Sequence, residues 1–129
     1  MTDQELIDAA LAVRKNAYCP YSGYLVGAAL VDDRGQMHIG CNVENTAYPQ
    51  GNCAEASAIG AMISAGGKTI VTIAVAGGRD AVTACTPCGG CRQRINEFAN
   101  EQTRVIVSSE DGGWDSYSIA ELLPASFHL

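Results

Sequence analysis

The first third of the chain alternates between helical and strand-like hydrophobic patterns. Thr2 and Glu5 form a capping-box pattern, and apolar residues then recur at helical spacing as far as Val13. This pattern predicts a helix that ends near Asn16. Residues 25–31 and 37–43 are two apolar runs on either side of a turn sequence, residues 32–35, and they predict a β-hairpin. The segment 44–52 contains helix and strand breakers and is predicted to be irregular.

The remaining chain repeats an alternation of helix and strand. We predict helices over 54–65 and 89–100, strands over 69–76 and 104–108, and a short helix after a second capping box, Ser118 to Glu121. Helices that alternate with strands in this way are typical of an α/β sandwich with a mixed sheet. The length of 129 residues suits one domain, residues 1–129.

Composition narrows the classes of function. The net charge is −6, and the eight Lys and Arg residues form no basic run, so a nucleic-acid polymer is not expected as substrate. Only 17% of residues are charged, from which we hypothesise that an oligomer buries part of the surface. The first ten residues carry three acids and no basic segment, and no apolar run could span a membrane. A cytoplasmic protein is therefore expected, in which cysteines serve more often as metal ligands than in disulfides.

Three cysteines and one glutamate form a spaced motif. Cys53 is followed by Glu55, and Cys88, after Pro87, is followed by Cys91, both groups at predicted helix starts. Three sulfurs that converge from two helix starts can bind zinc and leave its fourth position to water, which is typical of catalytic zinc. Zinc lowers the pKa of such a water from about 15.7 toward about 7. Glu55 could then move protons, which is worth roughly 10²- to 10⁴-fold in rate. This spacing is the signature of zinc deaminases.

Other interpretations of the cysteines remain open at this stage. Cys85 and Cys88 have the same spacing as Cys88 and Cys91, so a structural zinc site with Cys85 as fourth ligand is one alternative. A redox pair at Cys88 and Cys91 is another. Cys19 and Cys41 lack partners at ligand spacing and are expected to be buried thiols. The two histidines, His38 and His128, give little support to a Ser-His-Asp or Cys-His mechanism.

Over almost its whole length the chain resembles the small, homotetrameric class of cytidine deaminases. The resemblance implies a three-layer α/β/α sandwich with a central mixed sheet, and one Zn²⁺ per subunit. The stretches that carry the resemblance are Pro20-Tyr21-Ser22, residues 26–29, residues 40–45, Cys53-Ala54-Glu55, Pro87-Cys88-Gly89, Cys91-Arg92-Gln93 and Leu122-Leu123-Pro124.

The resemblance also implies individual roles. It makes Glu55 the proton shuttle and Cys53, Cys88 and Cys91 the zinc ligands. Substrate contacts are implied at six positions. Asn42 and Glu44 match residues that hold the ribose 3′-hydroxyl, and Tyr48 lies near the sugar. The Ala54 backbone contacts the base, and Tyr24 lies beside it. Phe127 packs on the base that is bound in a neighbouring subunit.

Three positions depart from the pattern of the family. Tyr24 stands where Phe is usual, and Ala56 stands where many members have Arg. Because zinc with three thiolates carries a formal charge of −1, we expect Arg92, just after Cys91, to be the sole compensating cation. Arg94 stands where an apolar residue is usual, and we interpret it as an interface or surface change.

The resemblance implies hydrolytic deamination of free cytidine and 2′-deoxycytidine to uridine and 2′-deoxyuridine, with release of ammonia, in pyrimidine salvage. Two alternatives remain. The departures at Tyr24 and Ala56 leave room for a modified cytosine nucleoside or a blasticidin-like compound as substrate. A zinc-stabilised module without activity would instead have four protein ligands and no open position.

Overall fold

A five-stranded mixed sheet organises the chain in this computed structural model, which describes residues 1–129. In spatial order the strands run β2-β1-β3-β4-β5. Strands β3 and β4 are parallel, whereas the other neighbours are antiparallel. The strands comprise β1 (Leu25–Asp32), β2 (Met37–Cys41), β3 (Ile70–Gly78), β4 (Arg104–Ser108) and β5 (Trp114–Ser118).

Four helices cover the two faces of the sheet. Both predicted capping boxes are confirmed, because Thr2 and Ser118 each accept from the main-chain N–H three residues later. A single 3₁₀ turn, Tyr48–Gln50, interrupts the irregular segment after β2. None of the helices has the length and hydrophobicity to cross a bilayer. The helices comprise α1 (Asp3–Arg14), α2 (Ala54–Ser64), α3 (Gly89–Glu97) and α4 (Ile119–Leu122).

Successive residues of the central strands point to opposite faces of the sheet and so build two cores. In β1, Ala28 and Leu30 join the core beneath α2, α3 and α4, while Ala29 and Val31 join the core beneath α1. Together the two cores make the three-layer α/β/α sandwich that the resemblance implied, and the fold class is confirmed.

The helix that carries Glu55 lies very close to β2. A Cβ atom at Gly40 would lie 2.5 Å from the Ala58 nitrogen and 2.7 Å from the Ala54 carbonyl oxygen. Only glycine therefore allows the backbone of α2 to approach the sheet this closely. This contact fixes the first turn of α2 against the strand that leads to Asn42 and Glu44.

The structure differs from the sequence prediction mainly at the edge of the sheet. Strand β5 was not predicted, because its sequence, Trp-Asp-Ser-Tyr-Ser, places no two large apolar side chains on one face. It pairs only with β4 and is held by main-chain hydrogen bonds. Helix α3 ends at Glu97 rather than at residue 100, and β3 continues through Gly77 and Gly78.

Candidate active site

Two helix starts bring three cysteine sulfurs together. Cys53 is the N-cap of α2 and Cys88 the N-cap of α3, and neither side chain caps its own helix. Cys91 lies in the first turn of α3 and is buried. The three sulfur atoms all lie within 4.8 Å of one another. The structure thus brings together the three cysteines that the sequence motif singled out.

The chemistry of this triad suits zinc. Thiolates are preferred ligands of Zn²⁺, and the positive ends of two helix dipoles favour negative charge at this point. A hydrogen bond with Cys91 lowers the pKa of the Cys53 thiol to about 6. The same hydrogen bond, together with burial, raises the pKa of Cys91. Cys53 therefore ionises first, and a metal ion would replace the proton that the two sulfurs share.

Cys85 does not join the triad. Its N–H donates to the Ser108 carbonyl oxygen at 3.1 Å, which ties it to the edge of β4. Its thiol hydrogen-bonds with the Tyr24 hydroxyl, and burial raises the pKa of this thiol. The cluster of sulfurs contains Cys88 and Cys91 but not Cys85, which favours Cys88 and Cys91 of the two Cys-x-x-Cys pairs that spacing left open.

Glu55 lies in the same pocket as the cysteines. The pocket has a volume of about 300 Å³ and includes Glu55, Cys53, Cys88 and Cys91 in its lining. Only 4% of the Glu55 surface is exposed. This burial raises the pKa of its carboxyl group. A buried carboxyl group beside the cysteines is placed to accept a proton and return it, which is what a proton shuttle requires.

Asn42 and Glu44, on the chain that leaves β2, line the same pocket. The Asn42 side chain accepts from the Val26 N–H at 2.8 Å and donates to the Tyr24 carbonyl oxygen at 2.7 Å. Glu44 accepts from the N–H groups of Tyr21 and Ser22 and from the Ser22 hydroxyl. The hydroxyl bond lowers the pKa of Glu44. Main-chain donors therefore hold an ionised carboxylate and an oriented amide at one wall.

The aromatic candidates occupy three different places. Tyr24 lines the pocket, and burial together with its hydrogen bond to Cys85 raises the pKa of its hydroxyl. Tyr48 lies in an adjoining depression that shares Glu44, and its ring packs edge-on against Tyr21 with centroids 5.8 Å apart. Phe127 lies outside both cavities and is 70% exposed. Within one chain it does not reach the pocket.

The two arginines of α3 differ from expectation. Arg92 donates to the carbonyl oxygens of Pro87 and Leu122, both at 2.8 Å, and so ties the turn before Cys88 to α4. Arg94 instead donates to the Cys91 sulfur at 3.7 Å. The expectation that Arg92 is the sole cation at the site is wrong. Arg94, interpreted from the sequence as a surface change, approaches the cysteines because it lies one helical turn after Cys91.

Sequence reasoning gave no role to several residues of the pocket. Ser22, Val26 and Thr86 line it. The sequence marked Ser22 and Val26 only as parts of the stretches that carry the resemblance, and it did not mark Thr86. Ser22 acts through its hydroxyl and N–H, which both donate to Glu44. Cys85 also lines the pocket. From the sequence it was considered only as a metal ligand.

Known proteins that are similar in sequence and fold show the family to which the chain belongs. Residues 1–109 match the family described as cytidine and deoxycytidylate deaminase zinc-binding region. The chain therefore belongs to this family of zinc-binding deaminases. It is 39% identical over 127 residues to a cytidine deaminase of Sporosarcina psychrophila, and the match covers 98% of this chain and 92% of that protein.

Solved structures agree with this assignment. A crystal structure of cytidine deaminase from Burkholderia pseudomallei superposes with a TM-score of 0.89 at 40% identity, and the match covers 98% of this chain and 100% of that one. The cytidine deaminase structure from Mycobacterium tuberculosis has a TM-score of 0.84 at 33% identity and covers both chains completely. Zinc is accordingly the cofactor of the family, and the cysteine triad is the group of side chains in this chain that fits it.

Proposed function

We propose that this protein hydrolyses the 4-amino group of free cytidine and 2′-deoxycytidine and releases ammonia. The observation that carries the proposal is a single pocket that joins three groups: the cysteine triad, the buried carboxyl of Glu55, and the pair Asn42 and Glu44. The first two supply deamination chemistry, and the third supplies hydrogen-bonding groups for a sugar. Relatives across the comparison carry the name cytidine deaminase.

The chemistry divides among the residues of the pocket. Zinc bound by Cys53, Cys88 and Cys91 supplies a Lewis acid that lowers the pKa of water toward about 7. Glu55 accepts one proton from the attacking water at its carboxylate and delivers it to the ring nitrogen. It then accepts the remaining proton of the hydroxyl group on C4 and delivers it to the amine, which leaves as ammonia. Since Glu55 is buried, its proton does not exchange freely with solvent during this transfer. Water adds at C4, and the C–N bond breaks.

The sugar side of the pocket supports a nucleoside rather than a nucleotide. The Glu44 carboxylate and the Asn42 amide offer an acceptor and a donor to a hydroxyl group. Neither the pocket nor the adjoining depression includes Lys or Arg among its lining residues. A phosphate on the sugar would face the Glu44 carboxylate, and no Lys or Arg of the lining would offset the repulsion.

A modified cytosine nucleoside is the second candidate substrate. The observation in its favour is the hydroxyl of Tyr24, which hydrogen-bonds with Cys85 in the pocket. The Tyr24 hydroxyl and the Cys85 thiol make this wall of the pocket more polar than a phenylalanine at position 24 would. A substituent on the base that forms hydrogen bonds could exchange with the Tyr24–Cys85 bond.

We also propose a homotetramer, in which Phe127 packs on the base in a neighbouring subunit. The support is its 70% exposure near the chain end, where a single subunit gives this aromatic ring no partner in the pocket. The mass of the protein in solution tests this proposal. A monomer at assay concentration would rule it out.

The substrate is tested by the loss of cytidine absorbance in protein whose zinc content has been measured. The panel contains cytidine, 2′-deoxycytidine, cytosine, cytidine monophosphate and cytosine nucleosides substituted on the base. We expect turnover of both nucleosides and weak turnover of the free base and the nucleotide. Turnover of a substituted nucleoside alone would favour the second candidate. No turnover of any compound by zinc-loaded protein would refute the proposed function.

A further inference from the structure

A cation lies beside one of the three cysteine sulfurs. Arg94 follows Cys91 by one helical turn, and its Nη1 atom lies 3.7 Å from the Cys91 sulfur. The same nitrogen lies 3.3 Å from where a Cβ atom of Gly90 would be, and that point is 3.9 Å from the Cys88 sulfur. The missing side chain at Gly90 thus leaves room for the guanidinium group beside Cys91.

The formal charge of the zinc-loaded triad explains why a cation is needed here. Three thiolates and one Zn²⁺ carry a formal charge of −1, and the sulfurs lie within 4.8 Å of one another. Arg92 cannot supply the compensating charge directly, because its guanidinium is bound to two carbonyl oxygens of other segments. Arg94 is the only Lys or Arg that donates a hydrogen bond to a cysteine sulfur.

Positions 56 and 94 are related by the geometry of the two helices. Residue 56 follows Cys53 by three positions, just as Arg94 follows Cys91 by three. In an α-helix this spacing places two side chains on one face. Position 56 is alanine in this chain, so the first turn of α2 offers the triad no cation. Position 56 in the first turn of α2 and position 94 in the last turn of α3 are therefore alternative places from which one arginine can reach the sulfurs.

We propose that Arg94 is a positioning residue that supplies the counter-charge of the zinc site from α3, in place of an arginine at position 56. Its positive charge offsets the formal charge of −1 of the zinc-loaded triad, which favours zinc binding. Its hydrogen bond draws electron density from the Cys91 sulfur, which leaves the metal a stronger Lewis acid. The effect on turnover rests on the proposed function, whereas the effect on zinc affinity does not.

The test compares Arg94→Gln with Lys68→Gln. Both variants lose one positive charge, but the side chain of Lys68 is exposed and forms no hydrogen bond or ion pair. Zinc affinity is measured without substrate, by competition with a chromophoric chelator at fixed pH and salt. We expect about 10-fold weaker zinc binding in Arg94→Gln and no change in Lys68→Gln. The melting temperature of the zinc-free protein is expected to stay unchanged, because the Arg94 side chain is exposed, whereas that of the zinc-loaded protein should fall with zinc affinity.

A rescue variant separates counter-charge from local structure. Ala56→Arg in the Arg94→Gln background returns the cation from α2, and we expect it to restore zinc affinity. With zinc saturating, the kcat for cytidine should fall by about 10-fold in Arg94→Gln and recover in the double variant, with KM unchanged, because Asn42 and Glu44 are untouched.

Three results would overturn the proposal: zinc affinity of Arg94→Gln within about twofold of wild type, an equal loss in Lys68→Gln, or no recovery with Ala56→Arg. If wild type binds zinc but deaminates no nucleoside, the proposed function fails, and the affinity measurements still decide the role of Arg94.

Discussion

Two buried carboxyl groups, Asp32 and Glu55, show opposite behaviour near the two ends of β1. Asp32 ends the strand, its side chain has no exposed surface, and four donors surround it: His38 Nε2 at 2.8 Å, the N–H groups of Arg34 and Gln36, and the Arg34 guanidinium at 3.2 Å. Burial alone would raise its pKa, but these hydrogen bonds outweigh burial and lower the pKa below its usual range.

Glu55 is almost as deeply buried, yet its pKa is raised, since burial dominates and no comparable set of donors compensates. On the basis of this difference in pKa, we attribute a structural role to Asp32 and a functional role to Glu55. A buried carboxylate that is fully hydrogen-bonded stays charged and fixes the hairpin, whereas one without such partners keeps its proton within reach of a reaction. Burial by itself does not distinguish the two roles, but the set of donors does.

The largest effect is expected from a substitution that removes the ionisable group of Glu55. Glu55→Gln keeps the shape of the side chain but removes its ability to carry a proton, so kcat for cytidine should fall by roughly 10²- to 10⁴-fold. The free energy of unfolding should not decrease, because a buried, weakly compensated carboxyl is replaced by a neutral amide. Activity, bound zinc and urea denaturation are measured together. A Gln variant that retains wild-type turnover would remove Glu55 from the mechanism.

Asp32→Asn should give the reverse pattern. The amide cannot accept from all four donors, and Arg34 and His38 lose a buried partner, so the free energy of unfolding should fall by about 3 kcal/mol. Turnover per folded molecule at low temperature should remain close to that of wild type, because Asp32 lies at the far end of β1 from Tyr24 and Val26. Urea denaturation followed by an assay of the folded fraction checks both statements. A large loss of kcat in fully folded protein would contradict the separation of roles.

Asp32 should contribute to the pH dependence of stability. Because its pKa is lowered in the folded protein, its contribution is fully present above its ordinary pKa of about 3.9 and is lost as pH falls toward the folded value. The stability difference between wild type and Asp32→Asn should therefore be constant near neutral pH and shrink below about pH 4. Urea midpoints at several pH values measure it. A difference that grows in acid would reverse the sign of the proposed shift.

Much of the fold and the site follows from local sequence rules. The capping boxes at Thr2 and Ser118 and the helix starts at Cys53 and Cys88 depend on neighbouring residues, so their sequence patterns were sufficient. Strand β5 depends on pairing with a distant strand, and its own sequence has no period-2 apolar pattern.

The hydrogen-bond partners of individual side chains could be predicted less well than the helices and strands. The position of Arg94 depends on the face of α3 that meets α2, and the space beside it depends on Gly90. From the sequence we expected Arg92 to be the cation beside the cysteines and Arg94 to lie at an interface or surface, and only the packed structure shows Arg94 on the Cys91 sulfur. The donors around Asp32 were missed for the same reason: residues 32–35 were interpreted as a turn, and its closure by His38 from β2 is a tertiary contact.

The smallest expected effect tests which donors hold Asp32. Arg34 is 43% exposed on its side chain, and solvent screens an ion pair of this kind. We therefore expect Arg34→Gln to lower the free energy of unfolding by less than about 1 kcal/mol. The Arg34 and Gln36 N–H groups remain in place, at 2.8 and 3.0 Å from the carboxylate, and a change of side chain does not remove them. Lys68→Gln, which also loses one exposed cation, is the matched control for urea denaturation. If Arg34→Gln destabilises the protein as strongly as Asp32→Asn, the guanidinium rather than the main chain compensates Asp32, and hydrogen bonding by the hairpin would no longer explain why this buried carboxyl differs from Glu55.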